Sequence, residues 1–193
     1  MFKIICVTSR GMCDDFIKRV GELYKNGITV ILREKDLSES EYEKLAQRVI
    51  EVCPDVILHS YTDVAKRLGV KRIHLPLHKM NENIKNDFET VGVSVHSAEE
   101  AAAAEKMGAD YVTAGHIFAT DCKRGLAPRG LEFLKSVVDS VSIPVYGIGG
   151  ISPDNIAKIK GTGADGGCIM SGLMKCENIE KYLFQMNKNL LKK

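Results

Sequence analysis

One histidine in the sequence could transfer a proton from the end of a strand. Residues 110–116 read Asp-Tyr-Val-Thr-Ala-Gly-His, a β-branched segment that would deliver the imidazole of His116 at its carboxyl end. Because the reference pKa of histidine is about 6.5, such a ring can accept and return a proton near neutral pH. We therefore predict that His116 is a general acid and base, and that Val112 and Ala114 face inward with it.

Four other histidines, at positions 59, 74, 78 and 96, also lie near predicted strand ends. They cannot all be catalysts, and a histidine considered alone is more often structural. His96 is the next candidate base if His116 has another role. His74 and His78 have H-x-x-x-H spacing, but the sequence shows no cluster of Cys and His ligands around them, so we expect no metal held by the protein.

Two glycine-containing turns could bind a phosphate group. Gly149 and Gly150 follow one predicted strand, and Ser171 and Gly172 follow the next. Backbone N–H groups at the start of a helix can face an anion, and the hydroxyl of Ser171 could add a donor. Glycine turns also simply end strands, so it is the pairing of the two turns that indicates a phosphate site.

Cationic side chains could bind an anionic substrate at two other places. Arg33 and Lys35 follow the second predicted strand, although an Arg-Glu-Lys run is also common on a solvated surface. Cys122 and Lys123 belong to a polar loop at 120–125, which could close over a substrate or merely connect two elements. We include all four residues in the predicted substrate-binding set.

Short β-branched runs alternate with helical periodicity along the chain, which predicts an α/β fold with parallel strands and crossover helices. Strands are predicted at 3–8, 29–33, 56–59, 72–75, 91–95, 111–114, 145–148 and 167–170. Helices are predicted at 14–25, 41–52, 62–68, 98–107, 131–138, 155–160 and 179–191, and the interval after the fourth strand is the poorest helix.

Eight such units predict a single-domain (β/α)₈ TIM barrel over residues 1–193, with short loops because such barrels usually have about 250 residues. The alternative is an open, doubly wound sheet. Its dinucleotide-binding form would carry G-x-G-x-x-G after the first strand, whereas residues 8–11 read Thr-Ser-Arg-Gly. The barrel is therefore preferred.

Composition excludes several classes of protein. With 27 Lys and Arg against 25 Asp and Glu, the net charge is +2, so the sequence lacks the basic excess of a dedicated nucleic-acid binder. The apolar stretches are far shorter than the roughly 18 residues that cross a membrane, and no secretory signal is recognisable. We expect a cytoplasmic protein whose 6 cysteines are reduced thiols.

Several segments together resemble the thiamine phosphate synthase superfamily, and they cover nearly the whole chain. They are 33–35 (Arg-Glu-Lys), 92–96 (Gly-Val-Ser-Val-His), 108–112 (Gly-Ala-Asp-Tyr-Val), 143–150 (Ile-Pro-Val-Tyr-Gly-Ile-Gly-Gly) and 163–166 (Gly-Ala-Asp-Gly). The longer block at 115–126, Gly-His-Ile-Phe-Ala-Thr-Asp-Cys-Lys-Arg-Gly-Leu, is similar to the TenI branch of that superfamily.

Membership of the TenI branch would imply a thiazole tautomerase. Its substrate would be a small phosphorylated thiazole carboxylate, and His116 would move one proton from the ring to an exocyclic carbon without a metal or organic cofactor. The resemblance assigns the phosphate to Gly149, Gly150, Ser171 and Gly172, and the carboxylate to Arg33 and Lys35. Ser94 is a further expected substrate contact, and a homo-oligomer is a hypothesis.

Two departures from the synthases of this superfamily favour the tautomerase. Those enzymes usually carry a proline where His116 stands, and a Gly-Gln-(Asp/Glu)-Asp segment whose carboxylates help to hold magnesium pyrophosphate. Here that segment reads Pro76-Leu77-His78-Lys79, which lacks oxygen ligands for magnesium. We therefore expect coupling to a pyrimidine pyrophosphate to fail, and keep two alternatives: thiamine phosphate synthase and a non-catalytic TenI-type regulator.

Overall fold

The computed structural model describes residues 2–120, 123 and 125–191, which form a closed barrel of eight parallel strands. Each strand pairs with the next along the chain, and β8 pairs with β1 through the register Lys3 to Gly166. The strands are β1 (Lys3–Val7), β2 (Thr29–Leu32), β3 (Ile57–His59), β4 (Arg72–Pro76), β5 (Thr90–Val95), β6 (Tyr111–Gly115), β7 (Val145–Ile148) and β8 (Gly166–Ile169). The predicted (β/α)₈ barrel is confirmed.

Helices surround the barrel within the described ranges. They are α1 (Phe16–Lys25), α2 (Glu39–Val52), α3 (Thr62–Arg67), α4 (Ile84–Asp87), α5 (Ala98–Lys106), α6 (Gly130–Ser140), α7 (Ile156–Gly161), α8 (Ser171–Lys175) and α9 (Ile179–Leu190). The interval after β4 holds a short 3₁₀ helix, Leu77–Lys79, and the four-residue α4, in agreement with its weak helical pattern.

Polar residues at the helix starts explain where several helices begin. In α2, Glu41 N donates to Ser38 Oγ at 3.4 Å, and Ser38 N donates to Glu41 Oε2 at 2.9 Å. This reciprocal capping satisfies two backbone N–H groups that have no partner within the helix. Asp15 caps α1 and Ser97 caps α5 through one bond each, in which the side-chain oxygen accepts from a backbone N–H of the first turn.

Side chains of the strands alternate between two apolar layers. The interior layer contains Ile5, Val7, Ile31, Ile57, Tyr111, Tyr146 and Cys168. The opposite faces of the same strands pack against the helices, as Val91, Val93 and Val95 of β5 do. Because alternation has a period of two, Gly92 and Ser94 of β5 face the barrel interior. The parity of each strand therefore decides which side chains can reach a site at the barrel mouth.

The described cysteines Cys6, Cys13, Cys53, Cys168 and Cys176 are free thiols, as the sequence predicts. Burial raises the pKa of Cys6 and of Cys168 well above the ordinary value for a thiol, so both stay protonated and behave as apolar side chains. Within the described ranges, no helix combines the length and the apolar character needed to cross a membrane.

Candidate active site

The candidate site lies at the barrel mouth, where the carboxyl ends of the strands meet. Barrel enzymes place their reacting groups at this end, because loops that follow the strands converge there. Arg33 and Lys35 follow β2, Gly149 and Gly150 follow β7, and Ser171 follows β8. These predicted residues thus lie around one rim.

Two cations project from the β2 side of the mouth. Arg33 shares the parity of Ile31, which belongs to the interior layer, so its side chain leans toward the barrel axis. Partial burial, followed by repulsion from Arg33 and Lys123, lowers the pKa of Lys35. Arg33 and Lys35 both also depress the pKa of His59, an interior residue. Lys35 therefore lies within electrostatic range of both Arg33 and Lys123.

Glu34, between the two cations, points away from the mouth and is buried. Its carboxylate accepts a hydrogen bond from Thr8 Oγ1 at 2.7 Å, and others from the backbone N and the guanidinium of Arg10. Arg10 in turn pairs with the exposed Asp36 at 2.6 Å. Because both oxygens of Glu34 are used in this way, the carboxylate braces the β1 and β2 ends and does not face substrate.

A chain of polar side chains crosses the barrel interior below the mouth. His74 Nε2 lies 2.8 Å from Ser94 Oγ, and its Nδ1 lies 3.1 Å from the hydroxyl of Tyr111. Thr113 Oγ1 lies 3.4 Å from both His74 Nε2 and Ser94 Oγ. On the β3 side, His59 Nδ1 lies 2.7 Å from Ser60 Oγ. The predicted contact Ser94 is thus part of a connected interior network.

The histidines of this network are held neutral. Burial, with a smaller contribution from His74, lowers the pKa of His59 to about 2. Burial and the nearby Arg33 lower the pKa of His74 to about 3. Burial also raises the pKa of Tyr111 well above 10.0, so its hydroxyl keeps its proton. The floor of the mouth therefore offers neutral donors and acceptors, whereas its β2 rim is positively charged.

The inward parity predicted for Val112 and Ala114 is wrong. Tyr111 and Thr113 face the interior of the barrel, whereas Val112 and Ala114 pack in the outer layer against the helices. His116 follows β6, and its ring lies toward the loop after that strand, with Nε2 3.4 Å from the carbonyl oxygen of Leu126. His96 Nδ1 lies 3.2 Å from the carbonyl oxygen of Gly115, so this second candidate base is also in contact with backbone.

The two glycine-containing turns lie side by side, because β7 and β8 pair through Ile148 and Cys168. Gly149 and Gly150 have φ values of 103° and 66°, a region that L side chains rarely adopt. Asn155 Nδ2 donates to the carbonyl oxygen of Gly150 at 2.8 Å and fixes the first turn. A side chain at Gly149 would collide with the Cβ of His116, so this turn and the end of β6 fit closely together.

Gly172 is the second residue of α8, directly after the exposed Ser171. Of the loop residues predicted to bind substrate, Lys123 is exposed and close enough to affect the pKa of Lys35. Cys122 lies outside the described residues, so its predicted role stays a prediction. The rim therefore joins the β2 cations, the loop after β6 and the two adjacent turns.

Sequence reasoning missed the polar interior formed by Tyr111 and Thr113 and left His59 and His74 without a role. The sequence nevertheless contained a pattern that indicates this polar interior. In each of β3, β4 and β6, apolar residues of the outer layer alternate with these polar side chains, as Ile73 and Leu75 do around His74. Assigning each strand residue to the inner or outer face from this alternation would have placed these two histidines, the tyrosine and the threonine together inside the barrel.

Comparison with known proteins gives one consistent family. The family profile described as thiamine monophosphate synthase matches residues 4–173. A thiamine-phosphate synthase of Fusobacterium nucleatum is 34% identical over 97% of this chain and 96% of its own length. One of Clostridium acetobutylicum is also 34% identical, over 93% of this chain and 90% of its own. The solved thiamine phosphate pyrophosphorylase of Pyrococcus furiosus superposes with a TM-score of 0.83 at 30% identity, covering 98% and 95% of the two chains.

These relatives overturn the tautomerase prediction. It rested on one block, 115–126, in which His116 was expected to face the substrate, and on the acidic residues missing from 76–79. The whole-chain relatives instead carry the name of the alternative enzyme, the synthase. The expectation that coupling must fail is corrected with it.

Proposed function

The chain belongs to the thiamine monophosphate synthase family, and from that premise we propose that it joins a pyrimidine pyrophosphate to a phosphorylated thiazole. In this reaction the thiazole forms a new bond to the pyrimidine, and the bond between the pyrimidine and pyrophosphate breaks. Pyrophosphate leaves with the electron pair of that bond. The enzyme is thus a transferase acting on two phosphorylated small molecules.

The observation that carries this proposal is the charge pattern of the mouth. Arg33, Lys35 and Lys123 act on one another or on the same interior ring, so they form a cationic rim on one side. A departing pyrophosphate develops negative charge, and fixed cations stabilise that charge more in the transition state than in the bound substrate. We assign Arg33, Lys35 and Lys123 to the pyrophosphate.

The opposite side of the rim suits the phosphate of the thiazole. Gly149 and Gly150 bring backbone close to the mouth, and Ser171 adds a hydroxyl from the neighbouring turn. We assign the thiazole phosphate to these residues and to Gly172. His116 stands beside Gly149, and we assign it a contact with the same substrate.

The neutral floor lies between these two phosphate-binding regions. Ser94 and His74 present hydroxyl and imidazole groups that can bind heterocyclic rings without adding charge. Holding both substrates against this floor would place the two reacting atoms in contact and reduce the entropic part of the barrier. Cys122 keeps its place in the proposed set because it adjoins Lys123 in the sequence.

Magnesium pyrophosphate, which the family resemblance implies, does not fit the described residues. The segment after β4 is Pro76-Leu77-His78-Lys79, and the ammonium of Lys79 lies 3.3 Å from the carbonyl oxygen of Ser60. Magnesium requires oxygen ligands, usually carboxylates. Among the residues described here, no three acidic, Cys or His side chains are grouped to hold a metal. No step of the proposed reaction is therefore routed through magnesium.

The test is direct product formation. Purified protein is incubated with the pyrimidine pyrophosphate and the thiazole phosphate, with magnesium and with EDTA in parallel, and thiamine phosphate is measured by chromatography. We expect product that depends on both substrates and forms more slowly in Arg33→Ala when the pyrimidine pyrophosphate is below saturation. Tight binding of thiazole phosphate without product under either condition would reject the proposal and favour a non-catalytic ligand-binding protein.

A further inference from the structure

Two buried hydroxyl groups hold the peptide bond that precedes Arg33, one from each side. This arrangement carries a further inference, which rests on the proposed function. We propose that Thr8 and Tyr42 are positioning residues for the pyrimidine pyrophosphate: they fix the peptide at which Arg33 leaves β2 and so orient its side chain at the barrel mouth. Both side chains are fully buried, so they act through Arg33 and do not contact the substrate.

The peptide between Leu32 and Arg33 is bonded on both of its edges. On the β3 side, the hydroxyl of Tyr42 donates to the carbonyl oxygen of Leu32 at 2.7 Å. On the β1 side, the backbone N of Arg33 donates to Thr8 Oγ1 at 3.0 Å. The carbonyl and the N–H belong to one planar unit and point in opposite directions. Two bonds on opposite edges therefore fix the orientation of that unit.

Tyr42 also connects two strands. Besides donating to Leu32, its hydroxyl oxygen accepts a hydrogen bond from the backbone N of His59, at the end of β3, at 3.0 Å. Burial raises the pKa of Tyr42 well above its ordinary value, so the hydroxyl keeps the proton that it donates. The ring of Tyr61 stacks on that of Tyr42, with the centroids 4.2 Å apart. One packed hydroxyl thus links the ends of β2 and β3.

The hydroxyl of Thr8 is oriented by a carboxylate. Its single proton is donated to Glu34 Oε1 at 2.7 Å. The lone pairs of the same oxygen are then available to the N–H of Arg33. Glu34 is itself fixed, because it accepts a hydrogen bond from the backbone N of Arg10 at 3.0 Å. The acceptor for Arg33 is therefore held in one orientation by a buried charged group.

A small change in this peptide would have a large effect at the mouth. The guanidinium of Arg33 stands at the end of a long side chain, so a slight rotation of the backbone moves the charge much further than it moves the peptide. A displacement of about 1 Å can slow a reaction strongly even when the substituted residue lies away from the reacting atoms. Loss of either hydroxyl should therefore misplace Arg33 without removing its charge.

The experiment is steady-state kinetics of the full chain carrying Tyr42→Phe, which removes the hydroxyl and keeps the ring. We expect KM for the pyrimidine pyrophosphate to rise by about fivefold or more, while KM for the thiazole phosphate stays within about twofold. Tyr61→Phe is the matched control, because the hydroxyl of this stacked ring donates instead to the carbonyl oxygen of Leu37 at 2.6 Å. A merely structural role would impair the use of both substrates alike.

A double variant tests whether Tyr42 acts through Arg33. In Arg33→Ala, adding Tyr42→Phe should leave KM for the pyrimidine pyrophosphate within about twofold of its value in Arg33→Ala alone. Thr8→Val, which removes the other hydroxyl, should show the same selective rise alone and the same lack of effect in Arg33→Ala. Thermal melting checks that each variant is folded. Effects that multiply in the double variants, or a Tyr42→Phe enzyme that matches Tyr61→Phe, would overturn the proposal.

Binding measurements separate this inference from the proposed function. The same variants are titrated calorimetrically with inorganic pyrophosphate, in magnesium chloride and in EDTA. Binding that is weakened by Tyr42→Phe and Thr8→Val but not by Tyr61→Phe, with no thiamine phosphate formed by the unchanged chain, would reject the synthase proposal and leave the inference intact. Product formation with an unchanged KM for the pyrimidine pyrophosphate in Tyr42→Phe and Thr8→Val would reject the inference and support the synthase. Absence of both product and binding would reject both.

Discussion

The imidazole rings of His59 and His74 stack inside the barrel, with their centroids 5.6 Å apart. His59 ends β3 and His74 lies in the middle of β4, and the two are paired in the strand register. Ser60 Oγ bonds to the first ring, and Ser94 Oγ and the Tyr111 hydroxyl bond to the second. The pair therefore sits between the β2 cations and the polar floor, where protonation of either ring would place one cation against another.

This pair predicts a loss of stability in mild acid. The folded pKa values are about 2 for His59 and about 3 for His74, against 6.5 for both when exposed. The unfolded chain therefore binds more protons than the folded chain between pH 6.5 and these values. Stability should be fully present above 6.5 and fall as the pH decreases, by up to about 1.4 kcal/mol per pH unit for each ring. Urea unfolding at several pH values measures this slope.

Single replacements identify the source of that slope. His74→Gln should reduce the decline between pH 7 and 5 relative to the unchanged chain, whatever its stability at pH 7. His78→Gln is the control for replacing a histidine at an exposed position. Identical slopes in all three proteins would contradict the assignment to the stacked pair.

Glu34 should be worth far more to stability than its exposed neighbour Asp36. Its side chain is 3% exposed and accepts hydrogen bonds from Thr8 and Arg10. Glu34→Ala would leave these buried donors without a partner, at a cost of about 2–4 kcal/mol. Asp36→Ala removes only a surface pair and should change stability little. Denaturant unfolding of both variants makes the comparison, and equal losses would disprove the bracing role of Glu34.

The fold could be predicted from the sequence because the residue pattern within each strand shows that it is a buried strand. Val91, Val93 and Val95 mark an outer face packed on helices, and the intervals between strands show helical periodicity. Capping residues such as Ser38 and Ser97 mark where helices start, to within a few positions. These patterns are local, so no knowledge of long-range packing was needed to predict eight β/α units.

The site was harder to predict, because a side chain can reach it only if the residue lies both at the end of its strand and on the strand face that points into the barrel. In the segment 110–116, Tyr111 occupies the interior, so Val112 and Ala114 face the helices and not the site. The room for this ring is visible only in three dimensions, since the Tyr111 ring lies where a side chain at residue 92 would be. A long-range fit of this kind leaves no pattern along the chain.

That fit predicts a specific cost for enlarging Gly92. A Cβ there would collide with the buried ring of Tyr111. Gly92→Ala should lower the free energy of unfolding by about 1–3 kcal/mol, as overpacking does. Gly11→Ala is the control, because a Cβ at Gly11 meets nothing within 4 Å. In the double variant with Tyr111→Ala, the loss of unfolding free energy should be smaller than the sum of the losses in the two single variants. A loss equal to that sum would refute the contact.

Arg33 should act on one substrate selectively. Because it leans over the mouth beside Lys35, Arg33→Ala should raise KM for the pyrimidine pyrophosphate by about tenfold or more, the equivalent of a lost charge-assisted hydrogen bond. KM for the thiazole phosphate should stay within about twofold. Arg48→Ala, an exposed position on α2, is the control for loss of an arginine. Equal effects on both substrates would place Arg33 elsewhere in the mechanism.

Ser171 should show the reverse selectivity, because it belongs to the turn assigned to the thiazole phosphate. Its hydroxyl lies next to Gly172 and beside the turn that begins at Gly149, across the rim from Arg33. Removing one neutral hydrogen bond in Ser171→Ala should raise KM for the thiazole phosphate by roughly 3- to 10-fold and leave that for the pyrimidine pyrophosphate unchanged. Ser136→Ala, exposed on α6, is the matched control. Opposite selectivities in Arg33→Ala and Ser171→Ala would mean that each phosphate has its own side of the rim. If Ser171→Ala instead impaired the pyrophosphate substrate, the two sides would have to be exchanged.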